Sequence, residues 1–170
     1  KASATIHALH IKSHLHNPET LALIADVLNS APQIVSKLVA FDVTLQAAQQ
    51  IRQLMPNLAL APSVSHPFDI ERYGSATGNT LISVEDAIAN RDLFSWVWLD
   101  EWDTADRNGS TKRLYTAETF ELLRKHNFRI GLVTPELHAT SPGLLGAESH
   151  ADAKDLETLE ARMRQIASLS

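Results

Sequence analysis

The chain has 170 residues, 44% of them hydrophobic and 21% charged, a composition that predicts one soluble globular domain. Its net charge of -5 and its lack of a basic stripe argue against nucleic acid as a partner. The absence of cysteine excludes disulfides and thiolate chemistry and favours a reducing, cytoplasmic compartment, and no apolar run reaches the ~20 residues that a transmembrane segment needs.

Apolar runs typical of strands alternate with helix signals from the first residues onward. The run over residues 5–11 is followed by Asn-Pro-Glu at residues 17–19, which predicts an N-cap, an N1 proline and a first-turn acid. The second run, residues 34–43, precedes Thr44, which is expected to cap a helix that stops at Pro56. The first part of the chain therefore predicts a strand, a helix, a second strand and a second helix.

The same alternation continues through the rest of the chain. The third run, residues 58–64, precedes a loop with Gly and Ser at residues 71–80, and Ser83 with Asp86 predicts the start of a short helix. The later elements follow in order: a fourth run over residues 95–99, a helix capped by Thr116, a fifth run over residues 128–134, a long loop, and a last helix over residues 156–169.

Strands that alternate with helices predict an α/β fold with a parallel sheet, because parallel neighbours need a crossover connection. Two architectures fit this pattern: a doubly wound open sheet and a (β/α) barrel. No Gly-x-Gly-x-x-Gly turn follows any strand, which argues against a dinucleotide-binding sheet. A complete barrel needs eight strands and ~250 residues. Residues 1–170, which begin with Lys rather than Met, are therefore expected to form a single α/β domain that is a segment of a larger barrel.

Ionisable residues collect where the apolar runs end. In a parallel sheet these ends lie on one edge, where ligands bind. The residues at the ends of the runs or shortly after them are His10, Lys12, His14, His16, Asp42, Ser63, His66, Asp100, Glu101, Glu136 and His138. Each also has a simpler explanation: the first histidines as a solvated loop, Asp42 as part of a helix start, and the His66-Pro67 pair as loop punctuation. Trp98 and Trp102 are expected either in the core or in a pocket wall.

Three stretches resemble the glycerophosphodiester phosphodiesterases, a family related to the phosphatidylinositol-specific phospholipases C. They are HALHIKS, SKLVAFDVTLQAAQQIRQLMPNLALAPSV and STKRLYTAETFELLRKHNFRIGLVTPE. Residues 10–12, His-Ile-Lys, stand where the family has Glu-Ile-Lys, and residues 40–42, Ala-Phe-Asp, stand where it has Ser-Phe-Asp. The resemblance implies a partial TIM (β/α) barrel with a parallel sheet, about strands three to seven of eight.

The resemblance also implies chemistry at the strand ends. These enzymes use two-histidine acid–base catalysis assisted by a divalent cation, Mg or Ca, that carboxylates hold. Lys12 matches a lysine that contacts phosphate, and His10 takes the place of a metal-site carboxylate. We therefore predict His10 as a metal residue, although an imidazole favours softer ions than Mg²⁺ or Ca²⁺. The resemblance places the family's His-Arg pair and Glu-x-Asp on its first and second strands, upstream of the residues matched here, so the catalytic residues stay unassigned.

The expected function is hydrolysis of glycerophosphodiesters, or of a similar small phosphodiester, by the full-length barrel, with a role in lipid metabolism. The expected substrate-binding residues are Lys12, Asp42, Asp100, Glu136 and His138. The alternative is a barrel without catalysis that binds a phosphorylated or acidic metabolite, since His10 replaces a carboxylate. A third hypothesis is a complete doubly wound domain of unrelated function.

Overall fold

The computed structural model describes residues 5–102, 108–133 and 155–169. The strands in these ranges are β1 (His7–His10), β2 (Leu38–Phe41), β3 (Ala59–Ala61), β4 (Ser63–Val64), β5 (Leu81–Ile82), β6 (Trp96–Leu99) and β7 (Arg129–Leu132). The α-helices are α1 (Pro18–Asn29), α2 (Pro32–Val35), α3 (Leu45–Leu54), α4 (Pro67–Tyr73), α5 (Val84–Ala89), α6 (Ala117–Lys125) and α7 (Leu156–Ala167). A 3₁₀ helix spans Ser13–Leu15. Within the described ranges, no helix has the length and apolarity that crossing a membrane requires.

All strand pairs are parallel, which confirms the predicted α/β class. The strands form two sheets, with orders β1-β2-β3 and β5-β4-β6-β7. Only Pro62 separates β3 from β4. The carbonyl of Pro62 accepts the Trp98 backbone N–H at 2.9 Å, so β6 remains hydrogen-bonded to the chain at this interruption. Apart from the two-residue β5, the paired strands are neighbours in chain order. A doubly wound sheet reverses its strand order, and among the described strands only the two-residue β5 departs from chain order.

The predicted helix starts are formed by the expected side chains. Asn17 accepts a hydrogen bond from Thr20 N at 2.9 Å, and Thr44 accepts one from Ala47 N at 3.2 Å. Ser83 and Thr116 cap α5 and α6 in the same way. These caps form because a short side-chain oxygen satisfies a backbone N–H that has no partner inside the helix.

One hydrophobic cluster lies between the helices and a single face of the sheets. The cluster includes every second residue of β2, β6 and β7. Because alternate residues of a strand point to the same face, these residues all lie on one side of the sheets. These strand residues are Leu38, Ala40, Val97, Leu99, Ile130 and Leu132. The helices contribute buried residues from α1, α3, α5, α6 and α7, which are Leu21, Ala25, Ala47, Ala48, Ile51, Ala87, Phe120, Leu123 and Ile166. The opposite face carries Phe41 and Trp98.

The boundaries of two predicted strands and of one predicted loop are corrected. Residues 34–35 belong to α2, because Pro32 occupies a first-turn position that favours a helix, and the second strand starts only at Leu38. The third run is interrupted at Pro62, which lacks the N–H that a strand ladder uses. The predicted loop begins later than expected, because residues 71–73 belong to α4, a helix that was not predicted from the sequence, and β5 follows the loop.

Candidate functional site at the strand ends

The ends of β1, β2 and β3–β4 bring three polar side chains into direct contact. His10 Nε2 lies 2.8 Å from Asp42 Oδ2, and the Ser63 hydroxyl donates to Asp42 Oδ1 at 2.9 Å. His10 is the last residue of β1, Asp42 follows β2, and Ser63 begins β4. Both carboxylate oxygens of Asp42 therefore have a hydrogen-bond donor, each supplied by a different strand.

Asp42 adopts an unusual backbone conformation at this point. Its φ of 65° lies in the left-handed region, which aspartate tolerates better than most non-glycine residues. Such conformations are concentrated at functional sites. The side chain that caps α3 is that of Thr44, so the carboxylate of Asp42 is not needed for the helix start. It is instead bonded to His10 and Ser63, which favours the functional interpretation of this residue.

An aromatic stack supports the same side chains from the face opposite the helices. The rings of His10 and Phe41 stack with centroids 4.5 Å apart, and Phe41 stacks on Trp98 at 4.4 Å. The β3–β4 run, with which both neighbouring strands pair, carries the small residues Ala61 and Ser63 in register with Phe41 and Trp98. Small residues at these positions leave room for the rings to meet.

Gly131 on β7 leaves space for the ring of Trp98. A Cβ atom at position 131 would lie 2.6 Å from a carbon of that ring, far closer than real contacts allow. Glycine is therefore required for the stack as it stands. The sequence does not predict this role of Gly131, because a glycine inside an apolar run gives no sign of which ring lies against it.

Accessibility increases from Ser63 to His10. Ser63 is 4% exposed, whereas the side chains of Asp42 and His10 are 18% and 34% exposed. Ser63 and Asp42 thus form the buried base of the group, and the imidazole is its accessible end. A ligand that approaches the strand ends would meet His10 first.

Lys12 and Asp100 lie at the same edge as this group. Lys12 is exposed and directly precedes the 3₁₀ helix after β1, and in the described parts of the chain no ion pair engages it. Asp100 follows β6 and is partly buried; its backbone N–H donates to Val64 O at 2.9 Å, and its carbonyl accepts the Ser65 hydroxyl at 2.8 Å. The predicted site residues Glu136 and His138 lie outside the described residues.

Three other candidates have structural contacts. His66 Nδ1 accepts the Phe68 backbone N–H at 3.2 Å, so this histidine caps α4. His16 Nε2 bonds the carbonyl of Ile11 at 2.9 Å. Trp102 stacks on Tyr73 with centroids 4.7 Å apart. None of these contacts brings its residue to the Asp42 carboxylate.

Glu101 is part of a buried network rather than of the open edge. It is 7% exposed, and its carboxylate accepts the backbone N–H groups of Leu114 and Tyr115 at 2.5 and 3.2 Å. Arg162 of α7 forms an ion pair with it. The sequence shows two consecutive acids after β6, and only the structure separates the half-buried Asp100 from the structural Glu101.

The described residues do not by themselves fit the divalent cation that the family resemblance implies. Among them, no three histidine, aspartate or glutamate side chains are grouped closely enough to share a metal ion. The two candidate ligands, His10 and Asp42, bond to each other, and Ser63 takes the second carboxylate oxygen. The assignment of His10 as a metal residue stays a prediction, and no chemical step below depends on a cation.

The site offers an imidazole, a partly buried carboxylate and an exposed ammonium group on one edge of a parallel sheet. This combination suits a small anionic ligand that also carries hydroxyl groups. Compared with protein-family models and with curated protein sequences, the chain gives no match. Function is therefore inferred from the residues and their geometry.

Proposed function

We propose that the chain is part of a phosphodiesterase-like (β/α) barrel, about strands three to seven of eight, and that the full-length barrel hydrolyses glycerophosphodiesters or a similar small phosphodiester. The observation that carries this proposal is the contact of His10 and Ser63 with Asp42 at the carboxyl ends of neighbouring parallel strands. Barrel enzymes carry their active sites at this end of the strands.

The topology supports the barrel part of the proposal. With the short β5 set aside, strands that follow one another in the chain are also neighbours in space, and every pair is parallel. The hydrophobic cluster that packs the helices uses one face of the strands. Both properties are those of a barrel wall, whose helices form an outer ring around the strands.

Each predicted site residue has a role in this proposal. The ammonium group of Lys12 contacts a phosphate oxygen, which it suits as an exposed point charge. Asp42 acts through His10, to which it is bonded. Asp100, Glu136 and His138 line the pocket and select the alcohol moiety. The acid–base pair that cleaves the phosphodiester is assigned to none of these residues and belongs to the other strands of the proposed barrel.

A second candidate function is binding of a phosphorylated metabolite without turnover. The engagement of both Asp42 oxygens by protein donors favours it, because a carboxylate that is already satisfied is a poorer cation ligand. The imidazole of His10 favours it as well, because it stands where the related enzymes have a carboxylate of the metal site. In this case Lys12 and His10 keep their roles in ligand binding, and no bond is broken.

The test is release of glycerol 3-phosphate from a panel of glycerophosphodiesters by the intact protein, with Mg²⁺, Ca²⁺ or a chelator. We expect release, and we expect the Lys12→Ala variant to bind glycerol 3-phosphate about 10- to 100-fold more weakly, the value of one hydrogen bond to a charged group. Lys37→Ala is the matched control, since Lys37 is exposed at the opposite end of β2. Binding without release supports the second function, and the absence of both contradicts both proposals.

A further inference from the structure

The contacts of His10 point to a function for its second ring nitrogen. We infer that Ser63 and Asp42 are positioning residues that orient the imidazole of His10, and that His10 Nδ1 accepts a hydrogen bond from a hydroxyl of the ligand's alcohol moiety. The identity of the ligand rests on the proposed function, whereas the orientation of the ring does not. Within that function, His10 contributes to recognition of the alcohol, together with Asp100, Glu136 and His138.

The bond to Asp42 selects the tautomer of the neutral ring. An ionised carboxylate can only accept, so the nitrogen 2.8 Å from Asp42 Oδ2, Nε2, must carry the proton. The other nitrogen of a neutral imidazole then has a free lone pair. Among the described residues, none hydrogen-bonds to Nδ1 of His10. With 34% of this side chain exposed, Nδ1 is the polar atom that the ring can still offer to a ligand.

Two further contacts hold the ring in place. Phe41 stacks on it with an interplanar angle of 24°, which fixes the plane of the imidazole. The Ser63 hydroxyl donates to the other oxygen of Asp42 and is 4% exposed, so the carboxylate is anchored from the buried side. A carboxylate held at both oxygens keeps its own rotamer and transmits that orientation to His10.

The lone pair on Nδ1 determines which part of a ligand it can contact. A phosphate oxygen is itself an acceptor and cannot bond to an unprotonated nitrogen, whereas an alcohol hydroxyl can donate to it. Lys12, two residues along the chain, has only donors and suits the phosphate. Lys12 and His10 therefore recognise different parts of the ligand: Lys12 binds the anionic part, and His10 binds the part that carries a hydroxyl group.

The orientation is tested by ¹⁵N NMR of the histidine rings at pH 8.5, where an imidazole with an ordinary pKa is neutral. We expect His10 to be held in the Nε2–H form, and exposed His14 to show the tautomer mixture of a free imidazole. Asp42→Asn should shift His10 toward such a mixture, because an amide can donate as well as accept, and asparagine tolerates the positive φ. A His10 signal with the proton on Nδ1, or one identical to that of His14, overturns the inference.

The ligand contact is tested by calorimetry at the same pH with glycerol 3-phosphate and with inorganic phosphate. His10→Ala should weaken glycerol 3-phosphate binding about 5- to 10-fold and leave phosphate binding unchanged, as expected for one neutral hydrogen bond. Asp42→Asn and Ser63→Ala should give smaller losses of the same kind, whereas Lys12→Ala weakens both ligands. Equal effects of His10→Ala on both ligands, or none, overturn the inference and leave the proposed function standing. Absence of binding of either ligand to the unaltered protein overturns this contact, and it overturns the proposed function only if glycerol 3-phosphate release is absent as well.

Discussion

Tyr115 shows how a single side chain can link several backbone segments. Its hydroxyl lies 2.6 Å from Val133 O and 3.0 Å from Leu99 O, and it accepts the Glu101 backbone N–H at 3.2 Å. It thereby joins the carboxyl ends of β6 and β7. Burial raises the pKa of Tyr115 well above its usual value, and the negative charge of Asp100 adds to the increase. A buried phenolate would have little solvation to replace these hydrogen bonds.

This raised pKa predicts a loss of stability at alkaline pH. The folded state keeps the Tyr115 proton at a pH where the unfolded chain, with a tyrosine pKa of about 10, releases it. The contribution is therefore complete below about pH 10 and declines as the pH rises above it. Tyr115→Phe should be about 1 to 3 kcal/mol less stable at pH 8, but its stability should fall less steeply above pH 10. Urea unfolding from pH 8 to 11 measures both effects, and parallel pH profiles for the two proteins would contradict this account.

At the scale of single residues, the sequence predicts which side chains reach the strand ends but not which of them touch. Asp42 and Lys12 could be placed because an apolar run ends just before each, and parallel strands end at one edge. The contacts of Asp42 with His10 and Ser63 depend on strand register and on a positive φ, neither of which is visible in the residue pattern. The buried position of Glu101, next to Asp100, depends on α7, more than 50 residues further along the chain.

At the scale of elements, the helix starts were predictable because their signals are local. Asn17, Thr44, Ser83 and Thr116 each cap the helix that they were expected to cap. The helix α4 was missed because the Gly- and Ser-bearing residues after it favoured a loop, although an N1 proline begins it. The short strand β5 has only two residues, too few for any periodic pattern.

The packing of α7 gives a prediction that contrasts two arginines on one helix. Arg162 pairs with Glu101, and the two side chains are 2% and 4% exposed, whereas Arg164 pairs with Glu160 at 77% and 65% exposure. Removing one partner of a buried pair leaves its charge poorly compensated, and here Arg113, 3.8 Å from Glu101, offsets part of that loss. Arg162→Ala should therefore cost about 3 kcal/mol. Arg164→Ala should cost only about 0.3 to 0.5 kcal/mol. Thermal and urea unfolding compare the variants, and similar losses for both would show that α7 is not held by the buried pair.

At the scale of the whole molecule, the alternation of strands and helices was sufficient to predict the parallel α/β class. The order of the strands was not predictable, since it depends on contacts between segments far apart in the chain. Apart from β5, strands that follow one another in the chain are also neighbours in space, and β3 and β4 are separated only by Pro62. One face of the strands packs against helices, and the other carries the stack of His10, Phe41 and Trp98. Because the strands are parallel, their polar carboxyl ends lie at a common edge, and the imidazole of His10 is accessible there.

The convergence of these strand ends on one ligand site is tested most directly by amide chemical shifts of the ¹⁵N-labelled protein during titration with glycerol 3-phosphate. We predict that the largest changes occur at His10, Lys12, Val43 and Asp100. The amides of Asn57 and Ser95, which precede strands at the opposite end of the sheets, should be unaffected. Changes that are largest at Asn57 and Ser95, or that are scattered over the whole surface, would contradict a ligand site at the carboxyl ends of the strands.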